Sequence, residues 1–298
     1  MSQFILSTDS TADLSMEYFQ RRSVDVQFFH FTLGVNEYQD DCGKSVPPKE
    51  LFRRMVAGEE TKTSQVSVSE YLTYFREMME QGHDVLHLGF SSGLSGSYNA
   101  ARLAAEELRP QFPDRKLYVV DTLAASSGQG LFVDTVADMR DAGMDIDTIY
   151  AWANENRNKL HHWFFSTDLT FYIRGGRVSK TAGFVGTILH LCPLLDVNGE
   201  GKLMPRQKLR GKASAVKRIV EMMEATAADG LDYDGKCFIS QSECYEDARA
   251  VADLVEERFP KLKGKVQIFY VGTTIGSHTG PGTVALFFWG KPREAEQA

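Results

Sequence analysis

Through its first half the chain alternates short apolar runs with stretches of helical spacing, and few architectures accept that alternation. Phe4–Leu6 precedes a helical pattern near Ser15–Arg22, and Val26–Leu33 precedes another near Pro48–Ala57. Val85–Leu88 then leads to Ser97–Leu108, and Lys116–Val120 leads to Gln129–Arg140, which Gly143 ends. Ser67 and Glu70 have the spacing of a capping box, opening a helix that turns Tyr71, Leu72 and Phe75 inward and stops at Gly82. Parallel strands need crossovers of this kind, so the pattern predicts a mainly parallel sheet with helices on both faces.

The second half has another texture. Trp163–Ser166, Leu194–Val197 and Leu203–Leu209 follow closely, and Asn198-Gly-Glu-Gly201 offers hairpin turn chemistry. Helices near Ala213–Thr226 and Glu246–Phe259 flank strands at Lys236–Ile239 and Val266–Val271, and Thr283–Trp289 is a last strand. The 298 residues suit two domains. The expected organisation is an N-terminal parallel α/β domain over residues 1–162 and a C-terminal α+β domain over 163–298, with no Pro/Gly/Ser linker between them.

Thirty-three basic against 40 acidic residues leave a net charge of -7, which argues against a nucleic-acid-binding surface. Cys42, Cys192, Cys237 and Cys244 show no metal-ligand spacing and are expected as reduced thiols, with no metal site. No apolar stretch reaches about 18 residues, and no basic segment precedes the strand-like Gln3–Ser7, so the expectation is a cytoplasmic protein without integral membrane contact.

Polar chemistry collects in four loops: Ser7–Thr11, Thr61–Gln65, Ser91–Ser97 and Asp121–Thr122. Ligands of open α/β sheets bind outside the carboxyl ends of the strands, where such loops lie. Ser91–Ser97 carries Gly93 and Gly96 at a helix N-terminus, an anion site by its backbone donors and dipole, with Ser95 at its centre. Gly93-Leu-Ser-Gly-Ser97 also approaches the nucleophile elbow, although Ser97 replaces its last glycine. Neither a phosphate loop nor a dinucleotide fingerprint is present. Gly272–Gly282 reads as a glycine-rich turn that mounts His278 between two apolar strands. After Phe171–Arg177 comes the apolar stretch Ser179–Leu195, whose Ala182, Gly183 and Gly186 leave room for something slender. From Lys202 to Arg218 seven basic residues occur without an acidic one, a stripe fit to steer a negative partner.

Taken together, Thr8-Asp-Ser-Thr-Ala-Asp-Leu14, Thr63-Ser-Gln65, Ser91-Ser-Gly-Leu-Ser-Gly96, Gly175-Gly-Arg177 and Gly276-Ser-His-Thr-Gly-Pro-Gly282 resemble the DegV family of bacterial fatty-acid-binding proteins, some of which are binding subunits of fatty acid kinase. Val66 and Ser15 stand where the family often has proline. The resemblance implies a long-chain fatty acid whose carboxylate is bound by Thr63, Ser95 and His278, supported by loop residues Asp9, Ser10, Ser64, Gly93 and Gly96. It implies no cofactor and no catalytic residue in this chain. A separate ATP-dependent kinase would phosphorylate the carboxylate, giving an acyl phosphate for phospholipid synthesis.

Burying a 16-carbon chain yields at most about 12 kcal/mol at roughly 0.8 per methylene, and a protonated His278 would add a charge-assisted hydrogen bond to the carboxylate. Met55, Phe184, Ile188 and Phe269 are candidate lining residues. Arg177, Arg206 and Arg210 are expected to form one exposed patch that docks the kinase. Two other readings stay open: a serine ester or thioester hydrolase with Ser95 as nucleophile, His278 as base and Asp9 as orienter, and a regulatory protein acting through its basic segment.

Overall fold

The architecture is taken from a computed structural model that describes residues 4–178 and 191–294. In chain order the first elements are β1 (Phe4–Asp9), α1 (Met16–Arg21), β2 (Val24–Gln27), β3 (His30–Leu33), β4 (Asn36–Gln39), α2 (Pro48–Val56), β5 (Thr61–Ser64) and α3 (Val68–Glu80). Next come β6 (Asp84–Gly89), α4 (Ser97–Leu108), β7 (Leu117–Asp121), α5 (Ser126–Asp141), α6 (Ile146–Asn156) and β8 (Leu160–Ser166). Last are α7 (Thr170–Arg174), β9 (Leu191–Val197), β10 (Leu203–Arg210), α8 (Lys212–Thr226), β11 (Cys237–Gln241), α9 (Tyr245–Arg258), β12 (Gln267–Tyr270), α10 (Thr273–Thr279) and β13 (Thr283–Trp289).

Three sheets result. The alternation of the first half yields a four-stranded parallel sheet in the order β2-β1-β6-β7. Connections leave its centre in both directions, so the loops after β1 and β6 flank a topological switch point. The later strands form a six-stranded mixed sheet, β10-β9-β8-β13-β11-β12, in which β8 runs through positions 162 and 163. A small antiparallel sheet, β4-β3-β5, lies beside α2 and α10. The chain is thus α/β, with a parallel sheet flanked by helices and a second, mixed sheet. A core built on Phe4, Leu6, Leu131, Phe132, Phe238 and Phe287 joins β1, α5 and the face of the larger sheet.

Three segments depart from expectation: Thr61–Ser64, expected within a loop, forms strand β5, and two others fold differently. The run Val26–Leu33 is divided between β2 and β3, in different sheets. Its break is fixed at Phe29, whose N–H donates to Ser10 Oγ at 3.1 Å and whose carbonyl accepts from Asp40 N at 2.8 Å. The segment expected as a glycine-rich turn around His278 contains a short helix, α10. Its cap comes from far away in sequence: Asp40 accepts from Thr273 Oγ1 at 2.8 Å and Thr274 N at 3.2 Å. Gly276 lets the helix lie against α2, since a Cβ there would stand 2.8 Å from the Phe52 ring.

Candidate functional site

A cavity of about 390 Å³ lies between the loops at the carboxyl end of the parallel sheet and the face of the six-stranded sheet. That size is within the range of small-molecule sites, roughly 300–1,000 Å³. Its wall is largely apolar, with Phe29, Phe90, Leu94, Phe164, Val197 and Phe287 among the lining residues. Phe164 and Phe287 come from adjacent strands, β8 and β13, whose pairing sets them on the face that looks toward the parallel sheet.

Thr63, Ser95 and His278 all line this cavity, as do Ser64 and Gly96. Three unrelated local structures bring them there. Register with β3 places Thr63 opposite Phe31 in the small sheet. Ser95 sits in the loop between β6 and α4, its Oγ accepting from Ser97 N at 3.2 Å and lying 3.2 Å from Ser97 Oγ. His278 is in the last turn of α10, and its Nε2 lies 2.7 Å from Thr63 Oγ1. Ser64, Gln65 and Gly96 are exposed, so this polar end is where the cavity meets solvent.

The electrostatics bear on the charge of His278 before any carboxylate is bound. His278 is not held protonated: burial, reinforced by the neighbouring Arg177 cation, pushes its pKa down to about 4. A neutral imidazole can still organise the site. With its proton on Nε2 it donates to Thr63, which frees the threonine hydroxyl proton for an anion in the cavity. The other nitrogen, Nδ1, is buried without a partner and faces Gly175, where a Cβ would collide with it.

Arg177 also lines the cavity. It is half-buried, its Nη1 donating to Gly175 O at 2.5 Å, and burial lowers its pKa. This placement differs from the expected exposed patch. Arg206 and Arg210 are exposed on β10, and Arg206 pairs with Asp196 at 2.8 Å.

The first loop is structural. Asp9 is fully buried and accepts from Tyr71 Oη at 2.6 Å and Phe90 N at 2.8 Å. Ser10 is spent on Phe29 N. Gly93 has the β9–β10 turn against it: a Cβ would stand 2.7 Å from the carbonyl oxygens of Glu200 and Gly201. Asp9, Ser10 and Gly93 therefore support the site from behind its lining. Of the expected lining residues, Met55 belongs to a separate core cluster with Phe31, Leu51 and Phe52. Phe269 packs edge-on to Tyr18 and against Phe238, away from the cavity wall. Phe184 and Ile188 lie outside the described residues.

Ser95, His278 and Asp9 do not assemble into a triad. Ser95 is bonded within its own loop, His278 Nε2 is taken by Thr63, and Asp9 is committed to Tyr71 and Phe90. Sequence reading missed Tyr172, whose Oη lies 2.9 Å from Thr283 Oγ1 on the cavity wall, and His162, a fully buried histidine whose Nε2 accepts from Ala125 N at 3.2 Å. Both stand in apolar runs, where spacing alone does not distinguish lining from core.

Residues 4–291 match a family model described as "Uncharacterised protein, DegV family". The chain belongs to the DegV family. A DegV domain-containing protein of Clostridium perfringens is 37% identical over 296 residues, covering 99% of this chain and 100% of that protein. Among solved structures, a DegV family protein of Thermus thermophilus described for its fatty acid binding has a TM-score of 0.85 at 29% identity, covering 97% of this chain and 100% of that one. The fatty acid kinase B3 protein of Streptococcus pneumoniae, loaded with linoleic acid, shares the fold at a TM-score of 0.83 and 20% identity, covering 97% of this chain and 100% of its own.

Proposed function

We propose that this DegV protein holds a long-chain fatty acid in the cavity, with the carboxylate at Thr63, Ser95 and His278, and presents it to a separate ATP-dependent kinase whose acyl phosphate product feeds phospholipid synthesis. The observation that carries the reading is one cavity with a largely apolar wall and, at its solvent end, a cluster of hydroxyls beside a cation. An acyl chain suits the first part and a carboxylate the second. The fatty acid binding described for the Thermus thermophilus relative supports the same ligand class.

In this arrangement the imidazole aligns the Thr63 hydroxyl, Ser95 supplies a second donor, and Arg177 offsets the charge. A buried carboxylate otherwise costs several kcal/mol. The carrier itself performs no chemistry: it holds the chain away from water and leaves the carboxyl carbon's oxygens at the mouth, where Ser64 and Gln65 are exposed. We place the protein in the cytoplasm, where ATP is available to the kinase, and assign Arg206 and Arg210 to partner docking. Among the described residues no helix is long and apolar enough to cross a membrane.

The test is denaturing organic extraction of protein purified without added lipid, followed by mass spectrometry. Near-stoichiometric long-chain acid is expected. Protein that arrives empty and does not take up oleate or palmitate would refute the reading.

A further inference from the structure

The turn between β9 and β10, Asn198–Gly201, belongs to the six-stranded sheet, yet it meets the loop that carries Ser95. Ser91 Oγ donates to Gly201 O at 2.8 Å and accepts from Gly93 N at 3.2 Å. The fit leaves no slack. A Cβ on Gly93 would press on the carbonyls of Glu200 and Gly201, and one on Gly201, at φ +76°, would collide with Ser91 Oγ and stand 3.2 Å from the Leu123 side chain.

The turn is itself braced from inside and behind. Asn198 Oδ1 accepts from Glu200 N and Lys202 N, each at 3.0 Å. Gly199 N donates to Glu294 O at 2.8 Å. Buried Arg293 reaches Val197 O at 3.3 Å and Leu123 O at 3.0 Å, tying the strand before the turn to the loop after β7. That loop shares an anchor with the Ser95 loop, because Asp121 Oδ1 accepts from both Ser92 N and Leu123 N at 3.1 Å.

We infer that the Asn198–Gly201 turn positions the carboxylate clamp, with Ser91 as its contact and Asn198 as its brace. The inference rests on the fatty-acid reading above. Ser95 takes its place from the backbone course of residues 91–96, and hydrogen bonds weaken steeply with angle and distance, whereas apolar contact tolerates small shifts. Loosening the turn therefore penalises the acid head group and spares the chain. Ser91 and Asn198 are positioning residues that do not line the cavity.

The experiment measures dissociation constants for palmitic acid and for 1-hexadecanol, which has the same chain without the carboxylate. Wild type, Ser91→Ala, Asn198→Ala and Asn198→Asp are compared, with thermal melts checking folding; Asn198→Ala carries the test if Ser91→Ala does not fold. Each alanine variant is expected to weaken palmitic acid about tenfold, as for a lost hydrogen bond to a charged group, and to change hexadecanol by less than about twofold. Asn198→Asp keeps the Oδ1 acceptor and is expected to restore acid binding. Equal weakening of both ligands, or undiminished acid binding in the alanine variants, would overturn the inference while leaving the carrier reading standing. Failure of the wild type to bind palmitic acid would instead remove the carrier reading, and this inference with it.

Discussion

The hydroxyl-rich segment Ser7–Thr11 looks in sequence like Thr61–Gln65 and Ser91–Ser97 but has the opposite fate. In Ser7–Thr11 every polar side chain is consumed: Ser7 contacts His87 Nδ1 at 3.0 Å, Thr8 donates to Leu88 O at 2.7 Å, Asp9 takes Tyr71 and Phe90, Ser10 takes Phe29 N, and Thr11 donates to Gln129 Oε1 at 2.9 Å. All five residues are buried. Thr63 and Ser95 are only partly buried and line the cavity. Composition proposes a polar loop, but whether its hydroxyls are buried away from the cavity or line it decides whether it can bind a ligand.

The largest effect should come from the closed segment. Asp9→Ala leaves the Tyr71 hydroxyl and the Phe90 amide buried without an acceptor, at roughly 1–3 kcal/mol each, so urea unfolding should show a loss of about 3 kcal/mol. If Asp9 instead served the ligand, stability would hold and affinity would fall, and the comparison would break. The two open segments should behave in reverse. Thr63→Ala and Ser95→Ala are each expected to cost about 1–3 kcal/mol of fatty-acid affinity and less stability than Asp9→Ala, because the hydrogen bonds they lose lie at the cavity wall. A titration showing unchanged affinity in both variants would place the carboxylate elsewhere.

How far the sequence revealed these arrangements follows the range of the interactions. The capping box at Ser67 and Glu70 is complete within four residues, and both of its hydrogen bonds form. β13 reads directly from its apolar run. Helix α10 was illegible because its cap, Asp40, is more than 230 positions away, and its glycines suggested a turn where they serve close packing on Phe52. For the site, it was the family resemblance that implied Thr63, Ser95 and His278, and the three line one cavity. The protonation of His278 and the inward placement of Arg177 depend on burial, which spacing does not encode.

A pH titration probes that burial with a smaller expected effect. The His278 pKa lies near 4 in the folded protein against 6.5 when exposed, so between those values the unfolded chain binds more protons and stability falls as pH drops. His161, also pushed to about 4 by burial, adds to the slope. A bound carboxylate beside the imidazole favours its charged form, so saturating fatty acid should flatten the slope in wild type. In His278→Asn the ligand should have little influence on it. Melting temperatures across pH 4–7, with and without ligand, give the answer, and an equal ligand effect in both proteins would separate His278 from the carboxylate.

The smallest effect on the cavity is expected from the outer face of β10. Arg206 and Arg210 are exposed, and Arg206 holds Asp196, which is on β9 and does not line the cavity. Asp196 is mostly buried, so Arg206→Glu, made together with Arg210→Glu, sets two carboxylates side by side there and should cost some stability, whereas acyl affinity should stay nearly unchanged because neither Arg206 nor Arg210 lines the cavity. Charges on a surface rim act instead on the rate at which a charged partner arrives, and that action weakens as salt screens it. The double variant should therefore retain fatty acid on extraction yet lose acyl phosphate formation with a cognate kinase, most severely at low ionic strength. Recovery of the rate at high salt would identify the defect as one of association. Loss of the bound acid itself would show that β10 shapes the cavity through Leu203, its one residue in the wall, and not through the cations on its exposed side.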